Sequence, residues 1–371
     1  MEPVPVNIPC LQGNEKEYLI ECIETGWISS EGPFVREFEE KMATRFNRRQ
    51  AVAVSSGTAA LDCALTSLQL EKGDEVIIPS LTIISCATAV LNAGATPVPV
   101  DVDPMTWNMT TAEVRKNINA RTKAILAVHT YGLPVEMNPI LQLAEEYGLR
   151  VIEDAAEAIG LDCHNKPCGS FGDLSIFSFY PNKHITTGEG GMVLTDNDDL
   201  AERNRSLRNL CFQSKKRFYH EEIGWNYRMT NLQAALGLAQ LESLEKALQR
   251  KRGIGNLYQE ELKDCPGIQL PVPQTDFSEN LYWVFGIVLE NEDEKETLRI
   301  TRELAAAKIG TRPFFWPMHE QPVFHKMGLF NNLHLPISEK LARTGFYLPS
   351  GLGTSNEQIK HVAQTLKSIL Q

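Results

Sequence analysis

The chain has 371 residues, 43% hydrophobic and 22% charged, enough material for a buried core spread over about two domains. Its 36 Lys and Arg stand against 47 Asp and Glu, a formal charge of −11 that argues against nucleic acid or an anionic membrane as the main partner. No run approaches the ~20 apolar residues that span a bilayer, and the opening residues lack a basic, apolar leader, so a cytoplasmic protein is expected.

From about residue 50 to 195, short apolar runs alternate with helix-length segments. The runs at 51–54, 75–78, 97–100, 124–129, 151–153, 174–179 and 192–195 read as strands, several of them continuous enough to be covered on both faces. Residues 58–70, 83–92 and 137–147 read as helices between them, the last stopped by Gly148. Such repetition predicts an α/β fold with a mostly parallel sheet. The last two strands follow one another without room for a crossover helix, so part of that sheet is expected to be antiparallel. Beyond residue 198 the spacing predicts one long helix over 230–251, then a Pro-rich break at 265–273. A strand at 282–289, a helix at 296–308 and a final helix from Asn356 predict a smaller α+β unit at the C-terminus.

The eight cysteines are scattered and read as reduced core residues. Cys163-His164 with Cys168 is the one spacing that suggests a metal, but a second ligand pair is missing; a polar loop is the better reading, and no metal is expected.

Ligands of open α/β sheets gather at the C-terminal ends of the strands, so the residues that follow each strand carry the most information. After the first strand, Ser56-Gly57-Thr58 opens a helix, which suits a phosphate cradle and equally suits an ordinary N-cap. After the fifth comes Asp154, with Glu157 three residues on: a carboxylate for a cationic ring nitrogen, or an acidic first helical turn. After the sixth comes Lys183, between Pro181 and a Gly-rich turn, held near a strand end where burial would make it a usable amine nucleophile. A phosphate cradle, a ring-nitrogen carboxylate and a lysine are the parts that pyridoxal 5′-phosphate (PLP) requires.

These motifs, together with 73–77, Thr187-Gly188-Glu189-Gly190-Gly191 and Asn226-Tyr227-Arg228-Met229-Thr230, resemble the DegT/DnrJ/EryC1/StrS sugar-nucleotide aminotransferases along essentially the whole chain. The resemblance implies fold type I, with a large PLP-binding domain over 1–255, its first 35 residues partly at the active site, and a small α+β domain over 256–371. It implies that Lys183 holds the cofactor's reactive carbon, Asp154 its ring nitrogen, and Glu157 (often Gln in the family) the neighbourhood of its ring hydroxyl. Ser56, Gly57, Thr58 and Ser178 match the phosphate-binding groups, and Asn226 a residue that family homodimers lend to the neighbouring subunit's phosphate. The position that usually stacks an aromatic on the ring is Ile83 here.

Within the family the chain resembles most the branch that aminates GDP-4-keto-6-deoxy-D-mannose at C4 with L-glutamate, for polysaccharide such as O-antigen. That resemblance nominates Trp27, Ser29, Arg228, Arg312 and His319 for the sugar nucleotide. Arg312 in a surface ion pair, His319 as a hydrogen-bonded loop histidine, and Arg228 as a dimer tie are the plainer readings. The run Lys215-Lys216-Arg217 reads as a solvated loop, or as a diphosphate contact across a dimer. UDP- or dTDP-linked 3- or 4-keto sugars, a PLP-dependent sugar 3-dehydratase and a regulator without activity are the alternatives; the dehydratases carry His where this chain has Lys183.

Overall fold

The computed structural model describes residues 2–213, 215–291 and 293–371. In chain order the elements are α1 (Glu15–Thr25), α2 (Pro33–Arg45), β1 (Gln50–Val54), α3 (Gly57–Ser67), β2 (Glu75–Pro79), α4 (Ser85–Asn92), β3 (Thr96–Val100), α5 (Thr111–Asn117), β4 (Thr122–Val128), α6 (Met137–Tyr147), β5 (Arg150–Asp154), β6 (Asp162–Cys163), β7 (Lys166–Pro167), β8 (Leu174–Ser178), β9 (Gly191–Thr195), α7 (Asp198–Leu207), α8 (Asn231–Glu242) and α9 (Leu244–Leu262). They continue with β10 (Ile268–Gln269), β11 (Phe285–Leu289), α10 (Glu294–Ala306), β12 (Arg312–Pro313), α11 (Pro322–Lys326), α12 (Pro336–Thr344), β13 (Gly345–Leu348) and α13 (Asn356–Leu370).

Among the described residues, seven strands form one sheet in the order β1-β9-β8-β5-β4-β2-β3. All run the same way except β9, which is antiparallel to both β8 and β1. That one reversal is the antiparallel part expected from the short β8–β9 link. Alternate residues feed two cores: Ala51, Ala53, Ile125 and Ala127 join one with α2, α6 and α8, while Val52, Val54, Leu126 and Val128 join the other with α3 and α4. Covering on both faces explains why these strands read as unbroken apolar runs. A second, fully antiparallel sheet, β10-β11-β13-β12, packs on α9, α10 and α13. Val4 and Ile309 form a bridge that ties the N-terminal segment to this part.

The long helix expected over 230–251 is two. Ser243 leaves helical geometry (φ −97°, ψ 4°), and its N–H bonds to the Gln240 carbonyl three residues back. Serine competes for nearby backbone groups, and here the break also admits Gly13, where a Cβ would stand 2.9 Å from the Ser243 Oγ. The strand expected from residue 282 begins at Phe285, because Tyr282 sits in the left-handed region (φ 54°) that a strand excludes. No described helix is long and apolar enough to cross a membrane.

Candidate active site

The parallel strands deliver their C-terminal ends to one rim, and a cavity of about 350 Å³ opens there. Ser56, Gly57, Thr58, Ile83, Asp154, Glu157, Ser178 and Lys183 all line it. The C-terminal ends of β1, β2, β5 and β8, with the segments that follow them, therefore bring together eight of the nine residues expected around a cofactor. The ninth, Asn226, is exposed and outside this cavity, bridged to Asn209.

At one end stands the N-terminus of α3. Ser56 is its N-cap, accepting from the Ala59 N–H at 3.1 Å, and the first N–H groups of such a helix have no acceptor within it. Gly57 is packed against Ser178: a Cβ there would lie 2.7 Å from the Ser178 Cβ. The glycine lets backbone N–H groups and the Ser178 hydroxyl share one concavity, which with the helix dipole suits a phosphate.

Asp154 closes β5 and is almost fully buried. One carboxylate oxygen accepts the Ala156 N–H at 3.0 Å, and the Cys86 thiol donates to the other at 3.6 Å. Burial raises its pKa, against the opposing hydrogen bond and the Lys183 charge. Glu157 accepts the Tyr131 N–H at 2.8 Å and faces Lys183 Nζ at 3.5 Å. Burial raises its carboxyl to about 7, with Lys183 pulling the other way.

Lys183 sits on a turn secured from three directions. Its N–H bonds the Tyr180 carbonyl at 2.9 Å, Asn7 donates to the Pro181 carbonyl at 2.8 Å, and the Trp283 indole donates to the Asn182 carbonyl at 2.9 Å. Burial lowers the pKa of the Lys183 amine, while Glu157 and Asp154 raise it. A buried amine with a depressed pKa is a competent nucleophile and base.

Asn182 also lines the cavity, and its Oδ1 is buried with no partner among the described residues. An orphaned acceptor beside a cationic lysine, two buried carboxylates and a helix N-terminus fit a group that brings a phosphate, a protonated ring nitrogen and an electrophilic carbon. The residues present fit PLP.

The residues nominated for the sugar nucleotide separate. Trp27, Ser29 and Arg228 share a second cleft of about 650 Å³ with Arg205, Arg208 and Arg217. The exposed Arg312 lies in β12, in register with Tyr347, a cavity residue. His319 is buried, with Nδ1 2.8 Å from the Ser80 Oγ and Nε2 3.0 Å from Glu339 Oε1. Both ring nitrogens are hydrogen-bonded, which matches the plainer reading of a hydrogen-bonded loop histidine. Lys215, Lys216 and Arg217 are exposed, and Arg217 reaches the second cleft.

Cys163 and His164 have partners other than Cys168. The Cys163 thiol donates to the Val135 carbonyl, and His164 lies 3.5 Å from Glu136. Cys168 instead neighbours His129 and Glu153, whose polar atoms are already bonded to each other and to the N–H groups of Val135, Gly169 and Phe171.

Residues 9–367 match the DegT/DnrJ/EryC1/StrS aminotransferase family. The chain belongs to that family. Among curated relatives, the GDP-perosamine synthase of Escherichia coli O157:H7 is 41% identical, covering 99% of this chain and 98% of its own. Those of Caulobacter vibrioides and Vibrio cholerae are 40% and 37% identical, covering 99% and 98% of this chain and 98% of each relative. Among solved structures, DesV of S. venezuelae has a TM-score of 0.88 at 33% identity, covering 96% of this chain and 94% of that one. Helicobacter pylori PseC has a TM-score of 0.94 at 25% identity, covering 100% and 99%. The neighbours include a PLP form of Spr1654 from Streptococcus pneumoniae, with a TM-score of 0.92. As a member of the DegT/DnrJ/EryC1/StrS family the chain is a PLP-dependent aminotransferase of fold type I.

Family motifs do not point to Tyr131, Asn182, Trp283, Phe315 or Tyr347. Tyr131 lies in the loop after β4, where the strand-end rule directs attention, so that rule could have found it. Trp283 comes from the segment just before β11 and Tyr347 from β13, and no local spacing connects them with Lys183.

Proposed function

We propose that the chain transfers the amino group of L-glutamate to C4 of GDP-4-keto-6-deoxy-D-mannose, giving GDP-perosamine for polysaccharide such as O-antigen. One observation carries the chemistry: an amine of depressed pKa, Lys183, stands 3.5 Å from Glu157 in the cavity that also holds buried Asp154 and the α3 N-terminus. Three relatives of that name, similar end to end, support the substrate.

Bound PLP supplies an electrophilic carbon and a ring that takes up the electron pair left when the donor's Cα–H bond breaks. The α3 N-terminus and Ser178 hold its phosphate, and Asp154 keeps a proton on its ring nitrogen. Lys183 would hold the reactive carbon, and its free amine would move the proton from the donor's Cα. Glu157 orients that amine. Trp27, Ser29, Arg228 and Arg312 serve the nucleotide, and the positive groups of the second cleft offset the acidic exterior. Asn226 is lent to the phosphate of a second copy, which makes the working unit a homodimer, and we assign it to the cytoplasm. We divide the chain into a cofactor domain over 1–255, whose first 35 residues reach the active site, and a small domain over 256–371.

The test offers GDP-, UDP- and dTDP-linked 4-keto-6-deoxyhexoses with glutamate and identifies the product by mass and NMR. GDP-perosamine is the expected product; amination of only the UDP or dTDP sugars overturns the substrate. Lys183→Ala abolishes turnover, and substantial transamination by that variant overturns the mechanism.

A further inference from the structure

Lys183 Nζ has two neighbours of different kinds. One is the Glu157 carboxylate at 3.5 Å; the other is the ring of Trp283, whose centroid is 3.8 Å away. Trp283 lies in the segment just before β11, far from Lys183 in sequence, and is nearly fully buried.

Four contacts hold Trp283, two through its backbone and two through its ring. Lys251, itself buried, donates to the Trp283 carbonyl at 2.7 Å and to the Ser350 carbonyl. The indole N–H donates to the Asn182 carbonyl at 2.9 Å, next to the lysine. Tyr131, whose N–H holds Glu157, stacks on the indole with centroids 6.1 Å apart and planes within 8°. Behind it, a Cβ on Gly132 would stand 2.3 Å from the Trp283 N, so the two backbones are in close contact.

An aromatic face attracts a cation and is nearly indifferent to a neutral amine. The groups around Nζ therefore divide. Glu157 and Asp154 favour the ammonium, with the Cys86 thiol beside them, and the desolvation of the site opposes it; buried His184, faced by Lys183 and Lys251, is held neutral by burial and adds no charge. The Tyr131 and Tyr347 hydroxyls have their own pKa raised by burial and remain neutral.

We propose that the Trp283 ring face is the seat of the free Lys183 side chain, attracting it beside Glu157 while it carries a proton and so setting the pH above which the amine is a nucleophile and base. This rests on Lys183 being the cofactor lysine. A lysine that alternates between anchored and free needs a defined place when free, or each release spends orientation that the next step must recover. Trp283 is then a positioning residue. It brings the second sheet's part of the chain into the lysine's chemistry, and it is an aromatic in the same cavity whose usual stacking position carries Ile83.

The experiment reads Lys183 itself, without turnover. In the full chain freed of cofactor, the rate of Lys183 acetylation by acetic anhydride is followed across a pH series by mass spectrometry for the parent, Trp283→Phe and Trp283→Leu. Leucine keeps the site apolar but removes the ring; phenylalanine keeps a ring face and removes the tie to Asn182. Trp283→Leu is expected to lower the apparent Lys183 pKa by about one unit, and Trp283→Phe by clearly less. A Leu profile that coincides with the parent's or moves to higher pH overturns the proposal. So do Phe and Leu profiles that coincide, which would assign the effect to the indole N–H. A parent that fails to take up PLP overturns the proposed function instead, and that is a separate absorbance measurement.

Discussion

Gly191 and Ser56 approach so closely that a Cβ on Gly191 would stand 2.3 Å from the Ser56 carbonyl oxygen and 2.9 Å from the Gly57 N. Gly191 opens β9 in register with Val54 and Ser178, so the reversed strand packs directly beneath the α3 N-terminus. Both neighbouring atoms are backbone and have no rotamer to retreat into. Gly191→Ala should destabilise the protein by ~1–3 kcal/mol, read as a lower urea midpoint, and should weaken PLP binding in a spectroscopic titration. An unchanged midpoint with unchanged affinity would show that the cradle tolerates the displacement.

Glu157 makes stability depend on pH in a direction that can be worked out. Burial raises its folded-state pKa to about 7, above the ordinary glutamate value. The folded chain therefore holds a proton that the unfolded chain has released, and this contribution is present at acid pH and lost as pH rises through about 7. Glu157→Gln cannot ionise. In protein free of cofactor, its Tm relative to the parent should climb between about pH 4 and 8, by the equivalent of roughly 3 kcal/mol. A difference in Tm that stays flat across that range would mean that Glu157 is charged throughout.

Much of this is legible in the sequence because parallel strands covered on both faces leave continuous apolar runs, and each run points at the loop behind it. Ser56, Asp154 and Lys183 can be found that way before any three-dimensional information. The site's other wall cannot. Trp283 stands beside Lys183 only because the second sheet folds back on the first, and nothing in the spacing of Asn280-Leu281-Tyr282-Trp283 encodes that return. His319 shows another limit of reading by spacing. Its surroundings promise a ligand contact, but Ser80 and Glu339 come from distant segments and occupy both nitrogens. The break at Ser243 escapes a sequence reading because helical periodicity carries across a one-residue hinge.

Ile83 offers a gain instead of a loss. Its side chain is 44% exposed at the cavity edge, so a larger group has room to enter without repacking a core. An aromatic ring stacked on the cofactor is worth ~0.5–1.5 kcal/mol beyond the area it buries. Ile83→Tyr should therefore tighten PLP binding by roughly 2- to 10-fold in an equilibrium titration. Equal or weaker binding would indicate that Ile83 does not face the ring.

Asp154→Asn keeps the side-chain volume, and its amide oxygen still accepts the Ala156 N–H, so the fold should survive. A neutral amide no longer stabilises a proton on the ring nitrogen, and the electron sink fails while binding persists. Turnover should fall by at least ~10²-fold with PLP still bound, as absorbance would report. Loss of the cofactor itself would move Asp154 from chemistry to anchoring.

The proposed sharing of the active site between two copies can be tested by complementation. Lys183 lines the cavity, whereas Asn226 is exposed outside it, two residues from Arg228 at the second cleft. If one copy lends Asn226 to the other, Lys183→Ala and Asn226→Ala damage different halves of each composite site. Each variant alone should be impaired: the first inactive, the second with weakened PLP affinity. In a mixed dimer, one of the two sites draws both its lysine and its asparagine from intact sources. Co-expressing the two variants should therefore restore turnover at limiting PLP above the sum of the separately purified proteins. Activity that merely adds, from a mixture confirmed by mass to contain heterodimers, would place Asn226 in service of its own chain's site.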